Sequence, residues 1–233
     1  MTDKLLVSEI FYSIDGEGSR TGAPAIFIRL FGCNLDCTYC DSRYACKTEL
    51  PGESCFKQWM TLDEIINGVE MFDPCRCITL TGGEPLLQPM ATQLISRLRS
   101  LGYWVNIETN GSIDLSEVIK SQGPRRSEMD YFFTMDWKSL SSGESDKMLA
   151  SNLPLLTTND VLKFVVGSEA DLDQMKEVLE SSPALETQVY VSPVWGEISP
   201  AHIVEYILNN KLTYVKVQVQ LHKIIWAPDK RGV

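Results

Sequence analysis

The sequence predicts an α/β protein whose mainly parallel sheet forms an incomplete, TIM-like β/α barrel. Short β-rich segments alternate with amphipathic segments of about 10 to 12 residues from about residue 25 onward, which is typical of βαβ crossovers. About six parallel strands can be counted, seven at most, which is fewer than the eight of a closed barrel. No internal repeat or linker divides the 233 residues. We therefore expect one domain over residues 1–233, with a doubly wound sheet as the alternative topology.

The individual elements follow from residue type and periodicity. Residues 25–31 (AIFIRLF) are apolar and β-rich, and they form the first barrel strand. Thr61 starts the first long helix, because Glu64 three residues later completes a capping box. An irregular, cysteine-bearing loop joins these two elements, and the residues before the first barrel strand form an N-terminal extension. Further strands are predicted at 77–81, 103–109, 131–136, 161–166, 189–192 and 214–221, and further helices at 90–101, 114–120, 169–180 and 200–209.

Composition excludes several classes of protein. Acidic residues outnumber basic ones by 31 to 21, so the formal charge is −10, which argues against a general nucleic-acid or membrane-surface binder. With 44% hydrophobic and 22% charged residues, the chain can bury a full core. No apolar run approaches the roughly 20 residues of a membrane span, and the first residues lack the layout of a signal peptide. We expect a cytoplasmic, globular protein with no nucleic-acid or membrane partner.

The seven cysteines all lie in the first third of the chain. An odd number without a secretion signal argues against a disulfide scaffold, and clustering indicates metal or redox chemistry. Cys33, Cys37 and Cys40 form a C-x3-C-x2-C pattern directly after the first barrel strand, and such soft sulfur ligands suit an iron–sulfur cluster or zinc. Three thiolates leave one metal position open, whereas a structural zinc site normally has four ligands. Zinc remains the alternative, with the fourth ligand drawn from Cys46, Cys55, Cys75 and Cys77, which are otherwise expected to be ordinary thiols.

Residues that follow the predicted strands are those typical of an active-site rim. Ligands of parallel α/β folds bind at the carboxyl ends of the strands, and here these ends carry glycine or polar side chains. Paired glycines in TGGEP (81–85) let the backbone approach a ligand closely, although this segment alone could be a strand-to-helix turn with proline early in the helix. The strand ends are Gly32-Cys33-Asn34, Gly82-Gly83-Glu84-Pro85, Asn110-Gly111, Asp136-Trp137-Lys138, Ser192-Pro193 and His222-Lys223.

Together, the cysteine loop and the TGGEP segment resemble the radical S-adenosylmethionine (SAM) superfamily. The resemblance implies that Cys33, Cys37 and Cys40 hold a [4Fe–4S] cluster, with SAM bound at the fourth iron. Within that superfamily the chain is similar to the 7-carboxy-7-deazaguanine synthases over most of its length, from Glu9 to about Trp226. The matching segments are IDGEG (14–18) ahead of Arg29, ETNG (108–111) and QLHK (220–223).

The resemblance also implies roles for individual residues. Arg29 would pair with the substrate carboxylate, and alternation along the strand places it with Phe27 and Phe31. Ser42 would bind Mg²⁺. The family usually has glutamine where Asp15 stands, and many members read Ser-Pro-Lys where this chain has Asp136-Trp137-Lys138. The implied substrate contacts are Ile14, Asp15, Gly16, Glu17, Arg29, Thr81 and His222, and the implied SAM contacts are Tyr39, Cys40, Asp41, Gly83, Glu84, Asp136, Trp137 and Lys138.

The reaction implied by the resemblance converts 6-carboxy-5,6,7,8-tetrahydropterin into 7-carboxy-7-deazaguanine with release of ammonia, which makes the enzyme a lyase that supplies a deazapurine (queuosine) precursor. The implied partners are a flavodoxin or ferredoxin reductant and a second copy of the chain in a homodimer. A glycyl-radical-enzyme activase is the alternative enzyme, but activases lack the upstream G-E-G segment with its arginine. A zinc- or cluster-stabilised binding module is the non-enzymatic alternative.

Overall fold

The computed structural model describes residues 3–47, 57–125, 127, 129–228 and 230–233, so Cys55 lies outside the described residues. The described chain alternates strands and helices, as predicted. The strands are β1 (Lys4–Ile14), β2 (Pro24–Leu30), β3 (Gln58–Thr61), β4 (Cys77–Gly82), β5 (Trp104–Thr109), β6 (Tyr131–Lys138), β7 (Val161–Val166), β8 (Gln188–Pro193) and β9 (Val215–Val217). The helices are α1 (Leu62–Glu70), α2 (Ala91–Ser100), α3 (Ser116–Gln122), α4 (Glu169–Glu180), α5 (Pro200–Asn209) and α6 (Leu221–Ile225).

All of these strands belong to one sheet, in the order β3-β1-β2-β4-β5-β6-β7-β8-β9. Strand β2 and the strands from β4 to β9 run parallel to one another, which makes seven parallel strands. Strands β1 and β3 are antiparallel additions at one edge. Within the described residues β3 and β9 form the two edges and do not pair. The predicted α/β class with an unclosed parallel sheet is therefore confirmed.

The predicted N-terminal extension is a long strand that sets the register of Arg29. Strand β1 pairs antiparallel with β2, and the register shifts between Val7 and Glu9. This irregularity is typical of a β-bulge, in which one extra residue re-aims the side chains that follow it. Glu9 consequently lies opposite Arg29, and the Arg29 Nε donates a hydrogen bond to the Glu9 carboxylate over 2.8 Å.

Most predicted elements occur close to their expected bounds. The capping box at Thr61 is confirmed, because the Thr61 side chain accepts from the Glu64 amide and the Glu64 carboxylate accepts from the Thr61 amide. Strand residues such as Ile28 and Leu80 are fully buried in the core between sheet and helices. The aromatic side chains of β6 and β7, two strands near the centre of the sheet, are also fully buried: Tyr131, Phe132, Phe133 and Phe164.

The prediction of a strand over residues 214–221 was wrong at its carboxyl end. Strand β9 stops at Val217, and Leu221 begins a short helix, so His222 lies on α6 rather than at a strand end. The alternating pattern is interrupted by hydrogen bonds to the 14–18 segment. The Gln218 side chain accepts from the Gly18 amide over 2.7 Å, and the Leu221 amide donates to the Gly16 carbonyl over 3.0 Å. The Gln218 amide still donates to the Val191 carbonyl of β8 over 2.9 Å, but beyond it the chain is held by these tertiary hydrogen bonds, which local periodicity does not encode.

The amino-terminal edge of the sheet is closed by a buried ion pair. Arg20 donates to Asp15 over 2.9 Å, to the Thr79 hydroxyl over 2.8 Å and to the carbonyls of Ile78 and Trp104 at the start of β4 and β5. Both side chains are largely buried, with 11% and 3% exposure. The space left open beside the sheet therefore lies at the carboxyl ends of its strands.

Candidate active site

A cavity of about 560 Å³ opens at the carboxyl edge of the sheet, a volume ordinary for a small-molecule site. The prediction that the strand ends meet at one rim is borne out by its lining. It contains residues that follow β2, β4, β5 and β8, residues within β6 and β7, and residues of α6. Strand-end residues in the lining include Cys33, Gly82, Gly83, Asn110, Asp136 and Lys138, and α6 contributes His222 and Lys223.

The cysteine loop forms one wall of this cavity, and Cys33, Cys37 and Cys40 all line it. The loop leaves β2 through Gly32, whose φ of +106° lies in the region that favours glycine. It then returns to the strand end, because the Gly32 amide donates to the Ala45 carbonyl over 2.7 Å. The Thr38 amide donates to the Ser142 carbonyl over 3.0 Å and ties the middle of the loop to the segment after β6.

The donor set of the loop fits an iron–sulfur cluster. The three thiols are soft ligands that line one cavity, and each would bind a different iron of a cube. No three His, Cys, Asp or Glu side chains among the described residues are gathered closely enough for a single metal ion. It is the chemistry of the three sulfur donors on one cavity that fits a cluster.

Cys46 lines the same cavity, and its thiol donates to the Ser42 carbonyl over 3.3 Å. Hydrogen bonding with Cys46 lowers the pKa of Cys33 to about 6 and the pKa of Cys40 to about 7, against the effect of burial. Burial instead raises the pKa of Cys37 to about 11. Of the cysteines considered as a fourth zinc ligand, Cys46 is thus at the loop, whereas Cys75 and Cys77 lie before and at the start of β4, at the opposite end of the strand.

Gly83 allows the β4 end to approach the cysteine loop. A Cβ at Gly83 would lie 2.3 Å from the Gly32 carbonyl oxygen and 2.8 Å from the Cys33 Cβ, so no other residue fits without a shift. Gly82 has a φ of +151°, and a Cβ there would meet the Leu30 carbonyl oxygen at 2.1 Å. The glycines of TGGEP are therefore needed for close contact between β4 and the loop after β2.

The Glu84 carboxylate points away from the cavity and into the protein. It accepts hydrogen bonds from the amides of Leu86 (3.0 Å) and Asn110 (2.6 Å) and from the Thr109 hydroxyl (3.0 Å). The side chain is fully buried, and burial raises its pKa to about 7 against the effect of these donors. The carboxylate thus holds the end of β5 beside the end of β4, and the predicted SAM contact of Glu84 remains a prediction.

Arg29 also faces the cavity, together with Phe27, as strand alternation predicted. Within the described residues only the Nε of Arg29 donates a hydrogen bond, to Glu9. Glu9 also accepts from the Tyr44 hydroxyl over 2.8 Å, and the guanidinium carbon lies 5.9 Å from the ring centres of both Phe11 and Tyr44. The terminal amines of a rigidly held guanidinium remain available for a bidentate anion.

A chain of alternating charges crosses the floor of the cavity. The Lys163 Nζ lies 3.2 Å from Glu17 and 3.1 Å from Asp136, and Asp136 in turn pairs with Lys138 at 2.7 Å. Burial alone would lower the pKa of Lys163, but the carboxylates around it raise the pKa well above its ordinary value. Burial also raises the pKa of Glu108, whose carboxyl is hydrogen-bonded to Thr81. The floor therefore joins the residues predicted to contact substrate with those predicted to contact SAM.

His222 and Gly16 are in direct contact. A Cβ at Gly16 would lie 2.1 Å from the His222 Nδ1, so the imidazole packs on the glycine backbone. Burial lowers the pKa of His222 below its ordinary value, which leaves the ring neutral at pH 7. On the neighbouring rim, Asp41 pairs with Lys223 at 3.0 Å and accepts from the Ser42 hydroxyl over 3.0 Å.

Most predicted site residues line the cavity, but three point elsewhere. The Asp15 carboxylate is engaged by Arg20 and the Trp137 indole is buried, and like Glu84 neither lines the cavity. Those that do line it are Ile14, Gly16, Glu17, Arg29, Cys33, Cys37, Tyr39, Cys40, Asp41, Ser42, Thr81, Gly83, Asp136, Lys138 and His222.

Several lining residues were missed by the sequence analysis. Lys163 could have been found, because a lysine inside the otherwise apolar strand VLKFVV is unusual. Tyr44 and the C-terminal residues Lys230 to Val233 carry no comparable signal, although Arg231 stacks over the Tyr44 ring at 4.1 Å. Each helix within the described residues falls short of the length and apolar character needed to cross a bilayer.

Comparison with known proteins agrees with this geometry. Residues 27–127 match the Radical SAM superfamily. The chain is 40% identical over 229 residues to the 7-carboxy-7-deazaguanine synthase of Clostridium acetobutylicum, covering 97% of this chain and 98% of the relative. It is 39% identical over 233 residues to the enzyme of the same name from Chlorobaculum tepidum, covering 98% and 97%.

Two solved structures have a similar fold. QueE from Escherichia coli superposes with a TM-score of 0.72 at 22% identity, covering 95% of this chain and 96% of that one. SuiB of Streptococcus suis, bound to S-adenosylmethionine, gives a TM-score of 0.57 at 11% identity, covering 81% of this chain and 48% of that one. The identities to the curated relatives, which extend over nearly the whole length, show that this chain belongs to the 7-carboxy-7-deazaguanine synthase family of radical SAM enzymes.

Proposed function

We propose that the protein converts 6-carboxy-5,6,7,8-tetrahydropterin into 7-carboxy-7-deazaguanine and ammonia. The product is the one that the relatives are named for, and the substrate is the one implied by the family resemblance. One observation carries the proposal. A single cavity has the three thiols of the cysteine loop on one wall and the Arg29 guanidinium on another, with carboxylates and lysines between them. Such a site can hold a cluster beside an anionic, nitrogen-rich small molecule.

Membership of the radical SAM superfamily implies a [4Fe–4S] cluster and SAM as cofactors. Cys33, Cys37 and Cys40 would hold the cluster. When bound, the reduced cluster supplies one electron that cleaves SAM into methionine and a 5′-deoxyadenosyl radical. Walls that exclude water protect such a radical, and the buried Leu35 supplies an apolar side chain to this wall.

In this proposal, the SAM subsite lies along the cysteine loop and the ends of β4 and β6. Gly83 leaves its backbone accessible there, and Tyr39 is held by a 3.2 Å hydrogen bond from its hydroxyl to the Val165 carbonyl. Asp136 and Lys138 supply one negative and one positive group, which suits the amino and carboxylate groups of a zwitterion. Cys40 and Asp41 complete the subsite. The side chains of Glu84 and Trp137 do not line the cavity, so in this proposal they support the subsite from the protein interior.

In this proposal, the pterin subsite lies between Arg29 and the charged floor of the cavity. Arg29 binds the substrate carboxylate through its terminal amines while Glu9 fixes the guanidinium from the far side. The Glu17 Oε1 is buried and has no hydrogen-bond partner among the described residues, so it is an acceptor suited to a ring N–H of the substrate. Neutral His222, Thr81 and the backbone of the 14–16 segment complete the pocket.

Magnesium is the third cofactor of the proposal, with Ser42 as its protein ligand. Mg²⁺ prefers oxygen ligands and keeps several waters, so it needs only one or two protein groups. The Ser42 hydroxyl lines the cavity beside the Asp41 carboxylate, which makes the local donor set suitable for a hard cation. In Ser42→Ala we expect the Mg²⁺ dependence of turnover to disappear, measured by titrating Mg²⁺ into the assay described below.

The proposal also includes a flavodoxin or ferredoxin as reductant and a homodimer as the working assembly. Turnover supported by a reduced flavodoxin or ferredoxin in place of a chemical reductant checks the first, and sedimentation equilibrium checks the second. A monomeric mass under turnover conditions would contradict the homodimer.

The test is an anaerobic assay of the reconstituted protein with SAM, Mg²⁺, a chemical reductant and 6-carboxytetrahydropterin, followed by mass spectrometry. We expect both 7-carboxy-7-deazaguanine and 5′-deoxyadenosine to form. Arg29→Ala should abolish deazaguanine formation, while Arg97→Ala, a control on the exposed face of α2, should retain it. SAM cleavage without deazaguanine in the unaltered protein would refute the proposed substrate.

A further inference from the structure

The 14–18 segment is held in place by a side chain from the far end of the sequence. The Gln218 side chain accepts a hydrogen bond from the Gly18 amide over 2.7 Å and donates one to the Gly18 carbonyl over 3.1 Å. Gly18 is buried, so both of its backbone groups need partners inside the protein. The Thr21 hydroxyl is a second donor to the Gly18 carbonyl, at 2.8 Å. Within the part of the chain that the structure describes, the Gly18 amide depends on Gln218 alone.

Gln218 connects this segment to the last strands of the sheet. Its own backbone amide donates to the Val191 carbonyl of β8 over 2.9 Å, while its side chain reaches Gly18. Three residues further on, the Leu221 amide donates to the Gly16 carbonyl over 3.0 Å. The residues on both sides of position 17 are therefore fixed to the segment that follows β9.

Between these two anchored glycines lies Glu17, and its carboxylate is held at only one oxygen. The Glu17 Oε2 accepts from the Lys163 Nζ over 3.2 Å and from the Gln220 side chain over 3.4 Å. The Oε1 is buried and has no hydrogen-bond partner among the described residues. An unpaired buried acceptor favours a ligand that brings an N–H donor. Because the backbone and the other oxygen are held, this acceptor has its position before the ligand arrives, which increases affinity.

We propose that Gln218 is a positioning residue for the substrate, which it orients by fixing the 14–18 segment and with it the free oxygen of Glu17. The proposal rests on the assignment of Glu17 as a substrate contact in the proposed function. Without the Gln218 side chain the buried Gly18 amide loses its acceptor, so the segment must move to find another. The Glu17 oxygen then loses its fixed position, and the pterin should bind more weakly.

The experiment is anaerobic isothermal titration calorimetry of 6-carboxytetrahydropterin into the reconstituted protein with SAM present. The cluster is left oxidised, so that no turnover occurs. Gln218→Met removes the amide at similar volume, and we expect the pterin dissociation constant to rise about tenfold, the factor that corresponds to one hydrogen bond. Gln218→Glu keeps an acceptor for the Gly18 amide and should lie within a few-fold of the unaltered protein.

Gln122→Met is the matched control. The Gln122 side chain donates to the Thr92 carbonyl over 3.0 Å and joins α2 to α3, and it does not line the cavity. Its loss removes a comparable glutamine contact, so the protein should become less stable while its affinity for the pterin stays unchanged.

A double-mutant cycle with Glu17→Ala separates positioning from a general structural effect. If Gln218 acts through Glu17, Gln218→Met should add little to the loss of affinity that Glu17→Ala already causes. If the two losses of binding free energy are additive, Gln218 does not act through Glu17 and the proposal is overturned.

The outcomes also separate this proposal from the proposed function. If the unaltered protein does not bind the pterin, the proposed substrate fails and this proposal fails with it. Pterin binding with equal dissociation constants in Gln218→Met and the unaltered protein overturns the positioning role alone, and so does equal weakening in Gln122→Met. Circular dichroism and iron content show whether each variant has folded and loaded. Should Gln218→Met not fold, Gln218→Asn, whose amide is one methylene shorter, replaces it with the same expected loss.

Discussion

The buried Glu84 carboxyl should make the stability of the protein depend on pH. Glu84 is fully buried between the ends of β4 and β5, and burial raises its pKa from the ordinary 4.5 to about 7. In the unfolded chain the same group ionises near 4.5. Its contribution to stability is therefore fully present below about pH 4.5 and is lost as the pH rises through about 7.

The size of this effect follows from the pKa difference. Each pH unit between the two values corresponds to about 1.4 kcal/mol, so the whole range corresponds to about 3 kcal/mol. Glu84→Gln removes the titration and retains one of the two acceptor oxygens. Its loss of the other acceptor costs on the order of 1–3 kcal/mol at every pH. Relative to that of the unaltered protein, the free energy of unfolding of Glu84→Gln should therefore rise by about 3 kcal/mol between pH 4.5 and pH 7.5.

The measurement is urea unfolding followed by circular dichroism at several pH values for both proteins. The informative quantity is the difference between the two free energies of unfolding, because other titrating groups cancel in it. Glu117→Gln, on the exposed surface of α3, gives the baseline for removing one carboxyl. If the difference between Glu84→Gln and the unaltered protein were constant with pH, the Glu84 carboxyl would not be governed by burial and the reasoning would be refuted.

Two further predictions concern close packing at the two edges of the sheet. Gly83→Ala places a Cβ 2.3 Å from the Gly32 carbonyl oxygen, so the cysteine loop must shift. We therefore expect a several-fold lower iron content after reconstitution, measured by a colorimetric iron assay. Full iron loading of the variant would contradict this. Arg20→Met leaves the buried Asp15 carboxylate without its cation, which should lower the free energy of unfolding by about 3–5 kcal/mol near pH 7; a loss below about 1 kcal/mol, measured by urea unfolding, would show that the pair is dispensable.

Local sequence patterns were sufficient for the elements that alternate regularly. The capping box at Thr61, the inward direction of Arg29 and the meeting of the strand ends all follow from short-range periodicity combined with the geometry of parallel sheets. Strand β9 was overextended, because the alternating residues after Val217 are held by the 14–18 segment, about 200 residues away in sequence. Long-range hydrogen bonds of this kind leave no local pattern.

The same distinction explains which site residues were missed. Glu9 faces Arg29 only because of the irregularity between Val7 and Glu9, which shifts the register of β1 against β2. Asp15 was expected to contact substrate, but its carboxylate pairs with Arg20 instead of facing the cavity. Residue type alone does not distinguish a carboxylate that faces a ligand from one that faces a buried arginine.

In the TGGEP segment, the glycines and the glutamate have different structural roles. The glycines let β4 approach the cysteine loop, because any side chain at Gly83 would meet the backbone of Gly32. The glutamate acts on the neighbouring strand: its carboxylate accepts from the Asn110 amide, and the Asn110 side chain then donates to the Cys33 sulfur. The Glu84 backbone amide also donates to the Gly32 carbonyl at the start of the cysteine loop over 2.8 Å. Glu84 is thus connected to the loop both directly, through its backbone, and through Asn110, the residue that follows β5. The segment is therefore best understood as the junction that fixes the loop against two strand ends.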